Sequence, residues 1–483
     1  MNKITRGEDK MELFQLTKRL NPLWKKIAQT LAHTCEKCGN PRLYSVFNAY
    51  TGKSSGCITC KAVYYAILPF MKAVFGKTHL KKEHVAKLLN DTLVCKSMLN
   101  VVKGINHFGL KMPQPTAVPV VIVWNYTNSC NLTCLHCHQN SRVVKAELPT
   151  EKMYTLIEKL SNAGVSVLTF SGGEPLVCPN IFDAVQYAHD AGLLCTIASN
   201  GTLMTRSVVE KLKKAGIKRV EIGLDGCQAE THDFLRNTPG AFEATVKGIK
   251  NCVKAGFDEI CATMTLYKKN YDELKETVEL AEKLGVTRFY LNRLIPAGRG
   301  KTAIHLDVTK EQKIKALEYI YSKFHESATT GKGIQCYSRG MTYYGRLGYE
   351  KSHGSIFTVS EVLSGHDRLW KDKFGSNISQ IIQNYPSWFG GCSAGITYAG
   401  LSPGGDLLPC VPAHIPLGNI LEEDLEDLWC TNELLQVIRS RDELTGSCGE
   451  CGYNFVCGGC RYTAYAATGN WLKGDPSCPF GPG

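Results

Sequence analysis

From residue 117 onward, short apolar runs alternate with longer segments whose apolar positions recur every three or four residues. The run "PVVIVWNYT" reads as a buried strand, and "TEKMYTLIEKLSNAG" as an amphipathic helix closed by a glycine. The alternation continues through the strands "VSVLTFS", "LLCTIASN", "KRVEIGLDG", "EICATMTLY" and "TRFYLNRLI". Between them lie the helical patterns "NIFDAVQYAHDAG", "TRSVVEKLKKAG", "AFEATVKGIKNCVKAG" and "YDELKETVELAEKLG". Six apolar strands alternating with amphipathic helices predict parallel βαβ units in an α/β fold. Six units are too few to close an eight-stranded barrel. An open, partial (β/α)6 barrel or a doubly wound sheet remains, and in both a ligand sits at the C-terminal ends of the strands.

The repeat divides the chain into four segments. Residues 1–115 are helical in pattern, with a cysteine-rich insert between 35 and 60. Residues 116–301 carry the βα repeat, and 302–390 form a mixed bridging region rich in Gly, Ser and Tyr. Residues 391–483 are rich in glycine and cysteine, with one helical stretch, "EEDLEDLWCTNELLQVIRSRDEL".

The chain has 483 residues, 43% of them hydrophobic, enough for a sizeable core without staples. Its net charge of +12 is diffuse: basic runs such as "KLKKAG" interleave with acids on amphipathic helices, which argues for solvated faces over a nucleic-acid surface. The most apolar stretch, "AVYYAILPFMKAVFG", is interrupted by Pro69 and Lys72, so no membrane span is expected. The N-terminus lacks a secretory apolar core. The 22 cysteines are therefore expected in a reducing, cytoplasmic setting, as metal ligands or small hydrophobes.

The loop after the first strand, "NSCNLTCLHCHQN", concentrates Cys130, Cys134 and Cys137. Three thiolates on one short loop can cap three irons of a 4Fe–4S cubane and leave the fourth iron open. Zinc, with His136 or His138 as a fourth ligand, is the alternative. C-x3-C-x2-C at this place resembles the signature of radical S-adenosylmethionine (SAM) enzymes, and the resemblance extends over about 117–300. It implies that SAM chelates the open iron, and that its reductive cleavage gives a 5′-deoxyadenosyl radical which abstracts hydrogen from an unactivated C–H bond. "SGGEP", with Gly172, Gly173 and Glu174, resembles that family's glycine-rich SAM-binding motif. "ASNGT", with Ser199 and Asn200, and "GLDG" close later strands at matching places, and Arg236 resembles the arginine that holds the SAM carboxylate. Gly223 stands where some relatives carry a ribose-contacting serine, so ribose contacts are expected from Ser199, Asn200 or backbone.

Seven cysteines in the last segment resemble the SPASM domain, which implies two auxiliary 4Fe–4S clusters. The resemblance puts Cys392, Cys410 and Cys460 on the nearer cluster and Cys448, Cys451, Cys457 and Cys478 on the farther one. A fourth ligand for the nearer cluster is not evident; Cys336 is distant and Cys430 lies on the helical stretch. Cys457 and Cys460 are two residues apart where C-x3-C is usual, and this spacing is most similar to the radical SAM enzymes of the haem d and alternative haem pathways.

Two further knuckles, "CEKC" and "CITC", place Cys35, Cys38, Cys57 and Cys60 for a zinc site, a mononuclear iron or a third auxiliary cluster. The apolar helix after Cys60 is expected to pack on the barrel; a lipid-facing groove or a site for a peptide leader are its alternatives. This N-terminal site resembles that of archaeal tetraether lipid synthase. In "IPAGRG", Arg299 either faces substrate or pins the loop. The expectation is a radical SAM/SPASM oxidoreductase whose auxiliary clusters move electrons, reduced by a ferredoxin or flavodoxin. Its substrate would be a small molecule, a tetrapyrrole reacting at its side chain, ahead of a ribosomal peptide or a lipid. The reading from a different class is an iron–sulfur scaffold or electron carrier without SAM chemistry.

Overall fold

The computed structural model describes residues 21–53, 56–76, 82–141, 147–351 and 391–481. Residues 352–390 of the bridging region lie outside the described residues. All six expected strands form: β1 (Val121–Thr127), β2 (Val167–Gly172), β3 (Leu194–Ser199), β4 (Arg219–Gly223), β5 (Glu259–Leu266) and β6 (Arg288–Arg293). Four more extend the sheet: β7 (Gln335–Ser338), β8 (Tyr398–Leu401), β9 (Asp406–Leu408) and β10 (Gly418–Asn419). The order in space is β10-β9-β8-β1-β2-β3-β4-β5-β6-β7. β8 and β1 to β7 are mutually parallel, whereas β9 and β10 pair antiparallel at the β8 edge. From β1 to β7 the strands follow chain order without reversal. A doubly wound sheet needs such a reversal, so this is the barrel-like alternative, left open.

Six strands were therefore an undercount of the sheet. β7 comes from the bridging region, and β8 from the cysteine-rich segment, whose Tyr398 pairs with Val121 in β1. One contiguous core runs through both, from Ile122 and Trp124 to Leu401, Trp429 and Trp471. The single C-terminal helix expected from the pattern is two, Leu425–Thr431 and Glu433–Arg439. The break falls at Asn432, whose ψ of 124° leaves the helical region and whose side chain caps the second helix through Leu435 N.

The N-terminal helices α1 (Arg42–Tyr50), α2 (Ile58–Gly76), α3 (Lys82–Leu89) and α4 (Thr92–Phe108) enclose a separate small core built on Leu43, Val46, Phe47, Met71, Val85 and Leu89. The apolar helix after Cys60 is α2. Its buried face belongs to this core, not to the barrel, which corrects the expected packing. Its outer side leaves Ile58 and Tyr65 exposed. α4 makes the link: Asn100 bonds both Val118 N and Val118 O, and Lys103 pairs with Glu426 at 2.7 Å. Among the described residues, no helix is long and apolar enough to cross a membrane.

Candidate active site

The loop after β1 is held from three sides. Arg299 reaches in with Nε on Cys134 O at 2.9 Å and Nη1 on Ser141 O at 2.9 Å, while its own N–H donates to Cys137 O. Of the two roles open to Arg299, the structure gives it the loop-pinning one. Leu135 N donates to Leu235 O, tying the loop to the helix that carries Arg236. Gly173 N and Glu174 N donate to Thr127 O and Ser129 O, and a Cβ on Gly172 or Gly173 would overlap those carbonyl oxygens. The paired glycines thus let the β2 end approach the loop backbone closely.

Cys130, Cys134 and Cys137 line one cavity of ≈470 Å³ together with Gly172, Gly173, Ser199, Asn200 and Arg236. Arg236 pairs with the buried Asp225 at 2.7 Å. Burial disfavours its charge, but Asp225 and Cys134 outweigh that and raise its pKa. A Cβ at Gly223 would overlap Arg236 Nη2, so the glycine that departs from some relatives' serine leaves room for this guanidinium. Glu174 is fully buried and faces the fold instead of the cavity. Its carboxylate accepts from Asn200 N at 2.7 Å, Ser199 Oγ at 2.9 Å and Leu176 N at 3.2 Å, and burial pushes its pKa up to about 7. Its place is a clamp between the β2 and β3 ends.

Around the loop, several buried polar atoms have no hydrogen-bond partner: Asn128 Oδ1 and Nδ2, His136 Nδ1 and Arg236 Nε. Native interiors leave few such groups, so this ring of orphans fits a site completed by a polar cofactor. His136 and His138 are half-buried, and desolvation depresses both to about 4. Among the described residues, the only group of candidate ligand atoms lying within 4.8 Å of one another is Cys35, Cys38, Cys57 and Cys60. The three loop thiols are spread wider than a single ion draws its ligands, and neither histidine joins them round one ion. That spread suits a cluster better than the zinc alternative.

Residues 124–281 match the profile of the radical SAM superfamily, and 392–452 that of SPASM, an iron–sulfur cluster-binding domain. The AdoMet-dependent heme synthase of Methanosarcina barkeri is 36% identical over 370 residues, covering 76% of this chain and 98% of that protein. The chain is a radical SAM/SPASM enzyme. The pre-heme d1 synthase of Dinoroseobacter shibae is 28% identical, over 76% of this chain and 88% of that one. In fold, the enzyme is similar to Streptococcus suis SuiB, solved bound to its precursor peptide SuiA, at 17% identity and a TM-score of 0.61 over 90% of this chain and 92% of that one. Radical SAM and SPASM domains bring 4Fe–4S clusters and SAM with them.

The SPASM cysteines of this radical SAM/SPASM enzyme fall into two places. Cys392, Cys410 and Cys460 line the same cavity as the three-cysteine loop. Cys448, Cys457 and Cys478 lie near one another beyond it, with Cys451 three residues along the loop from Cys448. Cys336 is buried in β7 and Cys430 Sγ donates to Ala117 O; neither lines the cavity. Tyr462, which does, stands beside Cys410 and Cys460, and burial first of all pushes it up to about 12.

At the N-terminal site, Sγ separations of 3.6 Å (Cys35 to Cys57) and 3.9 Å (Cys38 to Cys60) bracket the edge of a tetrahedron about one ion, about 3.8 Å for metal–sulfur bonds of about 2.3 Å. Cys57 N donates to Cys38 Sγ at 3.3 Å, and a hydrogen bond from the Cys60 backbone leads the influences that lower the Cys57 thiol to about 6. A four-iron cubane does not fit so tight a cage.

Sequence reasoning missed a charged wall inside the barrel. Arg219, Glu221, Glu259, Arg288 and Arg339 form one ion-pair network, with Arg288 to Glu259 at 2.9 Å and Arg339 to Glu221 at 2.6 Å. A signal was present: the charges within "KRVEIG" and "TRFYLNR" contradict the continuous apolar run of a strand buried on both faces.

Proposed function

We propose that this enzyme oxidises a carboxylate-bearing side chain of a tetrapyrrole held in the barrel cavity. Cys130, Cys134 and Cys137 hold the cluster that binds SAM, the Gly172–Gly173 backbone receives the SAM amino group, Arg236 its carboxylate, and Ser199 and Asn200 border the ribose. Cys392, Cys410 and Cys460 hold the nearer auxiliary cluster, Cys448, Cys451, Cys457 and Cys478 the farther one, and the N-terminal four cysteines a single zinc or iron ion. Bound there, cluster and SAM supply a one-electron cleavage whose 5′-deoxyadenosyl radical takes a hydrogen atom from the substrate. The chain's own residues shape the cavity, shield it from water and orient the substrate between the two metal groups.

The observation that carries this reading is the single cavity, whose wall holds the three-cysteine loop and three of the SPASM cysteines together. A substrate lying there would meet hydrogen abstraction on one side and an electron acceptor on the other. Two observations support the tetrapyrrole class. The heme synthase relative aligns over nearly its whole length. The cavity wall sets Lys218, Arg219, Arg293 and Arg339 against Glu221 and Glu259, an excess positive charge suited to substrate carboxylates.

The test is anaerobic reconstitution followed by dithionite and SAM. 5′-Deoxyadenosine should form, and Cys134→Ala should abolish it at unchanged sulfide content of the auxiliary groups. A propionate-bearing iron porphyrin should accelerate SAM consumption and release carbon dioxide, with a ferredoxin or flavodoxin able to replace dithionite. SAM cleavage that no such porphyrin accelerates would remove the tetrapyrrole class and leave the radical chemistry standing. No 5′-deoxyadenosine from the loaded chain would return the protein to the scaffold class.

A further inference from the structure

The short knuckle Cys457-Gly458-Gly459-Cys460 lies between the two groups of SPASM cysteines. Both glycines are left-handed, at φ +65° and +60°. A Cβ on Gly458 would overlap Arg441 Nη1. A Cβ on Gly459 would stand 2.8 Å from Arg461 Nη2 and 2.9 Å from Cys448 Sγ. The space that side chains would fill is thus taken by two guanidinium groups, pressed against the turn that carries a ligand of each proposed cluster.

Both arginines are buried, Arg441 at 2% and Arg461 at 0% exposure. Arg441 Nη2 donates to Cys392 O at 2.7 Å, and its charge faces Cys392, Cys457 and Cys448. Arg461 Nη1 is anchored on Trp471 O and Lys473 O, which aims Nη2 at Cys448 Sγ, 3.5 Å away. Arg441 Nε and Nη1 and Arg461 Nε have no hydrogen-bond partner. Buried cations with unpartnered N–H groups are costly unless an anion completes them, and a thiolate-ligated 4Fe–4S cluster is an anion. Arg293 is aimed at Cys460 of the nearer cluster as well, with further donors to Gly340 O, Ser477 Oγ and Thr463 Oγ1.

We propose that Arg461 and Arg441 are positioning residues for electrons: Arg461, aimed at Cys448, raises the reduction potential of the farther auxiliary cluster, and Arg441, set between Cys392 and Cys457, raises that of both. This rests on the reading that the SPASM cysteines carry two clusters. Each cluster takes up one electron and becomes one unit more negative, and an adjacent fixed cation stabilises that reduced form. Arg461 acts on the farther cluster alone and Arg441 on the pair, so an electron entering either cluster from the cavity is stabilised by a buried cation. The glycine pair is the sequence feature that makes room for them.

The experiment uses the full chain with Cys130, Cys134 and Cys137 replaced by alanine, which leaves the auxiliary groups alone, and follows reduction by a potentiometric titration read by electron paramagnetic resonance. The parent should hold about eight acid-labile sulfides per chain and show two one-electron couples. Arg461→Gln should make reduction of one couple at least tenfold less favourable, a fall of about 59 mV, and Arg441→Gln should lower both couples. Arg441→Lys, which keeps the charge, should recover most of it. A parent with about four sulfides or fewer overturns the two-cluster reading itself. Two clusters whose potentials ignore both glutamine variants overturn the arginine proposal alone. Loss of sulfide from every variant at both positions also overturns it, leaving the arginines a packing role.

Discussion

Gly223 shows how far one missing side chain reaches. Arg236 Nη2 occupies the place of its absent Cβ, and Arg236 is held there by Asp225 and stands beside Cys134. Gly223→Ser should therefore push the guanidinium off its seat and weaken SAM binding about tenfold, ~1.4 kcal/mol, at unchanged sulfide content. Equilibrium binding to the loaded protein reads this directly; a serine variant that binds SAM as tightly as the parent would show that Arg236 is not needed where it stands. The cysteines were legible from sequence because ligation by a short loop imposes a fixed spacing. The roles of Arg299 and Glu174 were not, because an arginine that pins a loop and one that meets substrate leave the same letter in the chain. Only the hydrogen bonds of Arg299 to Cys134 O and Ser141 O distinguish them.

At the scale of elements, periodicity identified the six longer strands of the large sheet and missed its four short ones. β7 has four residues and β8 four, each added to the sheet by tertiary pairing with β6 or β1, which no local pattern announces. The N-terminal knuckles are the opposite case, since two C-x2-C turns specify a site by themselves. The first is closed by Gly39 N and Cys38 N donating to Cys35 O, and its strand Thr34–Cys35 is only two residues long. So small a ladder has little stability of its own. One bound ion should supply it, since metal affinity becomes folding free energy where ligands converge only in the folded chain. Cys38→Ser should release about one metal equivalent per chain without loss of sulfide, and speed amide exchange across residues 34–50. Metal released together with sulfide would mean that these four cysteines hold a cluster, against the tight cage of their sulfur atoms.

At the scale of the whole molecule, the two ends of the chain relate to the barrel in different ways. The SPASM segment is continuous with it: β8 pairs with β1, Trp429 Nε1 donates to Thr116 O at 2.8 Å, and Trp124 Nε1 to Ser402 O at 3.1 Å. Trp124, Trp429 and Trp471 lie in one core. The N-terminal helices before α4 bury their apolar residues in a core of their own. The alignment with the heme synthase covers 98% of that protein yet 76% of this chain, so about a quarter of this chain is additional. These facts make removal asymmetric. A chain ending at residue 351 would bare the β1 edge, Trp124 and the faces of the core that Trp429 and Trp471 cover, and it should be recovered only as aggregate or unfolded protein. A chain beginning at Thr92 keeps α4 with its Asn100 and Lys103 contacts, and it should fold, bind iron and cleave SAM at a rate close to that of the parent. Tryptophan-monitored urea unfolding of the full chain should then show one transition for barrel and SPASM together, with the N-terminal helices melting separately in amide exchange. If the shorter N-terminal variant loses 5′-deoxyadenosine formation while keeping its clusters, the additional helices act on the reaction itself, and the independence inferred from the two cores is wrong.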